Sequence, residues 1–211
     1  MSGGSGFRDK PGMTKEGRKK MDARLIINDH EVRLGHKGLA EIVYWLEDKP
    51  EHSDIFHELA KSECSEVLVC LVDKEHLSRL TVRMLIEESS LEVMRAVVDS
   101  KKARRHMTRR DLETYIDFGD CEILTALATH LSDFTEDYEI CEPEWLCERL
   151  LSQPDPAVRY ALAENTDTPE DFLERLVEDD DVDVAGQAEE TLAEVREEDD
   201  DDEFEDDDIP L

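Results

Sequence analysis

The feature that most constrains the fold of this chain is an internal repeat. Residues 143–151 read PEWLCERLL, and the related sequence PEDFLERLV follows 26 residues later at residues 169–177. Self-similarity at a fixed period is typical of repeat architectures, because one unit cannot bury its apolar face alone and neighbouring units must stack. We therefore expect an array of similar units rather than a single irregular core.

Each unit is predicted to be a pair of short helices. Two apolar triads with spacing i, i+3, i+4 each place three side chains on one helical face, and the second triad begins eight residues after the middle of the first. Five copies of this template start 26, 30, 35 and 26 residues apart, and only Gln187 is not apolar. The copies are Phe56, Leu59, Ala60 with Val67, Cys70, Leu71; Val82, Leu85, Ile86 with Val93, Ala96, Val97; Leu112, Tyr115, Ile116 with Ile123, Ala126, Leu127; Cys147, Leu150, Leu151 with Val158, Ala161, Leu162; and Leu173, Leu176, Val177 with Val184, Gln187, Ala188.

The helix starts and the two ends of the array agree with this pattern. Asp155-Pro156 and Thr168-Pro169 each combine an N-cap residue with a proline at the first helical position. In the last copy Gln187 and Gly186 make a more polar face, as a terminal repeat requires. Before the first copy, an amphipathic helix is expected to cap the stack, with Leu39, Ile42, Val43 and Leu46 on its apolar face. The predicted fold is all-α, an α-solenoid (superhelix) of about five helix-pair repeats with a capping helix on the N-terminal side.

Residues 150–184 resemble the bacterial leucine-rich repeat variant family, a group similar to HEAT-type helical repeats. The resemblance is carried by Asp155-Pro156-x-Val158-Arg159-x-x-Leu162-Ala163 and by Asn165-Thr166-x-Thr168-Pro169. It is specific over residues 143–190 and diffuse over residues 55–140. It implies a right-handed superhelix of alternating helical elements and no activity. Some members carry a cysteine-rich iron–sulfur segment at the N-terminus, but the first cysteine here is Cys64, so that feature is not carried over.

Composition divides the 211 residues into three predicted segments. Residues 1–36 are rich in Gly, Lys and Arg and are expected to be a disordered, mildly basic arm. Residues 37–194 form the helical-repeat domain. Within residues 195–211, the stretch from Glu197 to Asp208 is almost wholly Asp and Glu, interrupted by Phe204, and like charges at this density favour a disordered acidic tail.

The predicted location is the cytoplasm. No apolar run approaches the roughly 20 residues that a membrane span needs, so no membrane partner is expected. The N-terminus lacks the apolar core of a signal peptide. Five cysteines, an odd number, do not form a disulfide framework. The formal net charge of −31 repels phosphate backbones, and it either attracts a basic partner or only keeps the protein in solution.

The first candidate binding site is a basic run in this acidic chain. Residues 101–110 contain six cations and no acidic residue: Lys101, Lys102, Arg104, Arg105, Arg109 and Arg110. The run lies in the extra length between the second and third copies, on a loop or at the start of a helix. Such insertions often line the binding face of a solenoid, so the run could hold phosphate, RNA or an acidic protein segment. Alternatively, it neutralises neighbouring acidic faces or the chain's own tail.

The second candidate lies in the insertion at residues 132–144. Phe134, Tyr138 and Ile140 stand among acidic residues there, where aromatic side chains could anchor a partner or fold back over the core. The cysteines are less suggestive. Cys64 and Cys70 are six residues apart, as are Cys141 and Cys147, which rotates the side chains by about 120° on a helix. We therefore expect buried structural cysteines and no metal site.

No nucleophile–base pair, phosphate-binding Gly-rich loop or metal-ligand motif is present, so we expect no catalytic residue, no cofactor and no enzyme. The predicted function is a non-enzymatic interaction scaffold or adaptor with a protein partner, and a basic one if the negative charge attracts it. One alternative is a nucleic-acid-related regulator, either binding RNA or DNA through residues 101–110 under control of the tail or acting as an acidic mimic. A HEAT-like DNA glycosylase is disfavoured, because that class has a basic, aromatic concave face. This chain has only two tryptophans, Trp45 and Trp145, and a large negative charge.

Overall fold

The described part of the chain is mostly helical, with almost no strand, which confirms the all-α prediction. The computed structural model describes residues 23–27, 29–88, 90–135 and 140–202. Within these ranges it contains the strands β1 (Arg24–Ile27) and β2 (His30–Arg33), a 3-10 turn at Pro50–His52, and the helices α1 (His36–Trp45), α2 (Ser53–Leu59), α3 (Ser65–Val72), α4 (Arg79–Ile86), α5 (Leu91–Asp99), α6 (Lys101–Arg104), α7 (Arg109–Phe118), α8 (Cys121–Thr129), α9 (Ser132–Thr135), α10 (Pro143–Leu151), α11 (Pro156–Glu164), α12 (Glu170–Val177) and α13 (Val182–Asp202).

The five template copies correspond to five helix pairs: α2–α3, α4–α5, α7–α8, α10–α11 and α12–α13. Every template position in these pairs is buried or half-buried, and none is exposed. The two longer offsets between copies accommodate the short helices α6 and α9. Most triad members therefore lie on the sides of the helices that face the core, whereas Cys70, Ala96, Ala126 and Gln187, in the middle of their triads, are half-buried at its margin.

The second helices of the pairs touch one another in chain order. Helix α1 packs against α3, α3 against α5, α5 against α8, α8 against α11, and α11 against α13. Their buried side chains belong to one hydrophobic cluster that extends from Leu39 in α1 to Ala188 in α13. Helix α1 therefore occupies the place of a further second helix at the N-terminal end of this row. No helix in the described ranges is long and apolar enough to cross a membrane.

Capping groups fix several of the helix boundaries. The side chains of Ser78, Asp120 and Asp155 accept hydrogen bonds from backbone amides at the starts of α4, α8 and α11. Gly119 ends α7 in the left-handed conformation with φ 73°, which favours glycine. Helix α12 begins one residue later than its sequence predicts, because the Thr168 hydroxyl donates to the buried carbonyl of Leu162 (2.8 Å) and does not cap the helix.

The N-terminal segment differs from its predicted disorder where the structure describes it. Strands β1 and β2 pair antiparallel with Arg24 opposite Arg33 and Ile27 opposite His30. The two-residue turn between them contains Asp29 at φ 65°, a left-handed conformation that aspartate tolerates. The Leu34 amide donates to the Ala23 carbonyl (2.9 Å) and joins the two ends of the hairpin. Residues 1–22 of the predicted arm lie outside the described residues.

The acidic tail also begins later than predicted. Helix α13 continues to Asp202, so residues 195–202 are helical. Arg196 holds this extension to α12 through Glu170 (3.2 Å) and Glu174 (2.6 Å). Glutamate is a good helix former but aspartate is a poor one, and residues 195–202 hold two glutamates and four aspartates, so the contacts of Arg196 support this part of the helix. Residues 203–211 of the predicted tail lie outside the described part of the chain.

Candidate functional site

The row formed by α1, α3, α5, α8, α11 and α13 leaves one side of each helix uncovered. On each of these helices we count from the first apolar residue of the second-helix triad. The residue just before it and the residues two, three and six positions after it lie on the uncovered side. We call these 24 positions the second-helix face. All are exposed or half-buried except Ala161. They are Gly38, Glu41, Ile42, Trp45; Glu66, Val69, Cys70, Asp73; Glu92, Arg95, Ala96, Asp99; Glu122, Thr125, Ala126, Thr129; Ala157, Tyr160, Ala161, Glu164; and Asp183, Gly186, Gln187, Glu190.

The second-helix face is acidic along its length. Nine of its positions carry a carboxylate, and Arg95 is its one cation among these described positions. Arg95 is itself engaged by Asp120 (2.8 Å) and Glu122 (2.6 Å), and its hydrogen bond lowers the pKa of Asp120. Small side chains occupy the middle of the face, at Cys70, Ala96, Ala126 and Ala161. These small side chains lie between the positions that carry the carboxylates, beside the larger Arg95 and Tyr160.

Several of these carboxylates do not help the helices that carry them. Asp73 is the C-cap of α3, Asp99 is the last residue of α5, and Glu164 is the last residue of α11. The C-terminal end of a helix carries a partial negative charge, so a carboxylate there is unfavourable. All three side chains are exposed. Helix stability thus does not account for this edge of the face.

An aromatic groove lies at the N-terminal end of the second-helix face. Tyr44 and Trp45 of α1 are 67% and 79% exposed, and their rings lie 5.3 Å apart between centroids at an interplanar angle of 88°. Between α1 and α3 is a groove of about 410 Å³, which we call the Trp45 groove. Its lining residues are Lys37, Ala40, Glu41, Tyr44, Trp45, Glu66 and Cys70.

The end of α1 that carries these rings is tied to the next repeat. The ammonium group of Lys74 donates to the backbone carbonyls of Leu46 (2.9 Å) and Tyr44 (3.3 Å). Asp48 accepts hydrogen bonds from the backbone amides of Glu75 and His76. These bonds fix the backbone that carries the two rings, so the groove is formed in advance of any ligand.

The first half of the basic run is engaged within the fold. Lys101 lies 3.7 Å from Asp133, and Lys102 donates to the Lys74 carbonyl and lies 3.3 Å from Glu75. Arg104 is only 3% exposed; it donates to Asp133 (2.8 Å) and to the Val98 carbonyl (2.6 Å). The sequence placed Arg104 among surface cations, whereas it is a buried group that joins α6 to α9.

The second half of the run is more open. Arg109 lies 3.7 Å from Glu113 and stacks over the Trp145 ring at 4.5 Å. Arg105 and Arg110 are exposed and form no ion pair within the described residues. Arg79 belongs to the same region, because burial and then the charges of Arg79 and Lys102 lower the pKa of His106. Arg79 was not among the predicted cations of this site, although it and Arg109 each lie three residues before the first triad of their own copy.

The aromatic insertion is divided between the core and the undescribed part of the chain. Phe134 is 1% exposed and belongs to the core, so it offers no surface for a partner. Ile140 is half-buried. Tyr138 lies outside the described residues. Of the two readings of this insertion, Phe134 follows the one in which it folds back over the core.

The cysteines are dispersed through the core and its margin. Cys64, Cys141 and Cys147 are buried, and Cys70 and Cys121 are half-buried. Burial raises the pKa of Cys141 to about 11 and that of Cys147 to about 12. Among the residues that the structure describes, no three His, Cys, Asp or Glu side chains are grouped to hold a metal ion.

No protein-family model, no curated protein and no solved structure matches this chain.

Proposed function

We propose that this protein is a non-enzymatic interaction module, an α-solenoid whose second-helix face binds a basic segment of a partner protein. The proposal includes the superhelical stacking of the five pairs and the likeness to leucine-rich repeat variant proteins. Its main support is one observation: carboxylates recur in register on successive second helices that touch in chain order. Such an array would attract a cationic segment and favour one orientation of it.

Polar contacts between consecutive pairs support the solenoid arrangement. Arg83 of the second pair binds Asp111 of the third (2.6 Å), and the Tyr115 hydroxyl of the third donates to the Ile86 carbonyl of the second (3.0 Å). Arg175 of the fifth pair binds Glu148 of the fourth (2.8 Å). These contacts span 28, 29 and 27 residues, about one repeat length. The second pair is therefore tied to the third, and the fourth to the fifth, by contacts of similar sequence offset.

The exposed Arg105 and Arg110 favour a second candidate, which is anion or nucleic-acid binding through the basic run. It has less support, because Lys101, Lys102, Arg104 and Arg109 all have acidic or aromatic partners inside the fold. The net charge of −31 also opposes a polyanion.

Two variants of equal charge separate the face from general electrostatic attraction. The face variant D73N/D99N/E164Q and the control D54N/E144Q/E178Q each remove three exposed carboxylates. The full-length proteins are titrated with a fluorescein-labelled peptide of about 14 residues rich in Lys and Arg, at several salt concentrations. We expect the face variant to bind about tenfold more weakly, since three exposed charge pairs at about 0.5 kcal/mol each give about 1.5 kcal/mol, and a tenfold change corresponds to about 1.4 kcal/mol. The control should bind within about twofold of the native protein; equal losses in both variants would refute the assignment of this face.

A further inference from the structure

The exposure of two aromatic rings on α1 requires an explanation. Trp45 is 79% exposed and Tyr44 is 67% exposed, and Ile42 on the same helix is 38% exposed. An exposed tryptophan forgoes the burial that its large apolar surface would gain. Neither ring is held against the core, although α1 buries Leu39 and Val43 well. The rings are therefore available to a ligand.

The Trp45 groove combines these rings with negative charge. Glu41 of α1 and Glu66 of α3 both line it, together with the rings of Tyr44 and Trp45. Lys37 is the single cation among the lining residues, so the groove carries a net charge of −1. Glu66 already accepts a hydrogen bond from the Cys64 thiol (2.9 Å). A purely apolar occupant would remove water from the exposed carboxylate of Glu41 without pairing it, which is costly. A carboxylate or phosphate would be repelled.

A cation on an apolar stem meets both requirements. The ammonium group of lysine or the guanidinium of arginine can lie over an indole or phenol ring while it pairs with a carboxylate, and the methylene stem covers the remaining apolar surface. The described part of the fold already contains three cation–ring contacts, of which Lys74 over Phe56 is the longest, at 6.0 Å. Arg109 lies over Trp145 at 4.5 Å, and Arg175 lies over Phe172 at 5.0 Å.

The groove is also continuous with the second-helix face. Glu41, Trp45, Glu66 and Cys70 belong to both. We propose that the Trp45 groove is the anchor subsite for one arginine or lysine side chain of the basic segment that lies on the second-helix face. This inference rests on the proposed function. It adds a position for one end of the bound segment, because the anchoring cation would bind at the α1 end of the second-helix face.

The test uses the exposed ring as both target and reporter. The W145F variant leaves Trp45 as the single tryptophan of the full-length chain, and Trp145 is not a lining residue of the groove. Binding of the labelled basic peptide should change Trp45 emission. W45L should weaken the peptide by about five- to tenfold while leaving the slope of affinity against salt unchanged, since no charge is lost. F118L is the matched control, because Phe118 is also an exposed aromatic residue, 51% exposed, but lies on α7.

The outcomes distinguish the anchor from the face. If W45L binds as tightly as F118L while the face variant D73N/D99N/E164Q is weakened, the anchor is wrong and the proposed function stands. If all variants bind equally, both proposals fail. Three further results would overturn the anchor in favour of another occupant. N-acetyl-leucine amide could change Trp45 emission as strongly as N-acetyl-arginine amide. The emission could depend on protein concentration, as for a second copy. The K19S/K20S variant could alter it without peptide, as for the chain's own N-terminal segment.

Discussion

Replacing Arg104 by methionine should destabilise the protein, whereas the same change at Arg105 should not. The two arginines are adjacent, but Arg104 is 3% exposed and Arg105 is an exposed side chain. Methionine keeps the length and apolar stem of arginine, so it removes the charge without opening a large cavity. The pair therefore isolates the effect of burial within one basic run.

The expected size follows from the contacts of Arg104. R104M leaves Asp133, whose side chain is 12% exposed, without its closest cation and leaves the Val98 carbonyl without its donor. Removing one partner of a buried pair costs about 3–5 kcal/mol, and we take the lower end because Lys101 still lies 3.7 Å from Asp133. A loss of about 3 kcal/mol corresponds to a fall in Tm of about 6–12 °C for a domain of this size.

Urea unfolding followed by circular dichroism measures both free energies. R105M should remain within about 0.5 kcal/mol of the native protein. The double variant R104M/D133L removes both charges and should be about 1–2 kcal/mol more stable than R104M alone. If R104M and R105M unfold at the same urea concentration, Arg104 is not the buried structural cation described above.

Three further predictions concern acid stability, backbone conformation and thiol reactivity. Burial raises the pKa of Asp111, but hydrogen bonds from Arg83 and Thr108 outweigh this effect and leave the pKa below its ordinary value. The stabilising contribution of Asp111 is therefore present above about pH 4 and is lost as pH falls through the pKa of the folded state. D111N should accordingly flatten the acid limb of the stability profile, and an unchanged limb would contradict the argument. G119A should destabilise the protein by about 1 kcal/mol, because φ is 73° at Gly119. G186A should stabilise it by about 0.5–1 kcal/mol, because Gly186 lies inside α13 and the added Cβ has no heavy atom within 4 Å. The denaturant midpoints of the two variants should therefore move in opposite directions. Cys147, fully buried with its pKa raised to about 12, should react with iodoacetamide only on unfolding, whereas the half-buried Cys70 and Cys121 should react in the native protein; mass spectrometry decides the order.

The helical pairs could be predicted from sequence because their signal is repeated. A single triad such as Val82, Leu85 and Ile86 is weak evidence, but five copies in one register leave few other folds. The same register located α1 through Leu39 and Val43. It also assigned Ile42 to the apolar face, where the structure leaves it 38% exposed. The spacing of apolar residues identifies which face of a helix is apolar, but it does not show how much of the edge of that face neighbouring helices cover.

The features that the sequence did not yield depend on single residues and on contacts between repeats. Arg104 and Arg105 are equivalent in composition, yet a rotation of one residue on α6 buries the first and exposes the second. Trp45 could have been core or surface, and only the packing of α1 on α3 decides between them. The hairpin at Arg24–Arg33 is too short to change the polar composition of the segment around it, and that composition predicts disorder. The acidic extension of α13 depends on Arg196, whose partners lie on α12.

Carboxyl footprinting tests the binding face most directly. The full-length protein is labelled with a carbodiimide and an amine, with and without the basic peptide, and modification at each Asp and Glu is read by mass spectrometry. The account predicts protection of Asp73, Asp99 and Glu164, with no change at Asp54, Glu144 and Glu178. Uniform protection of both sets, or protection of the second set alone, would contradict it.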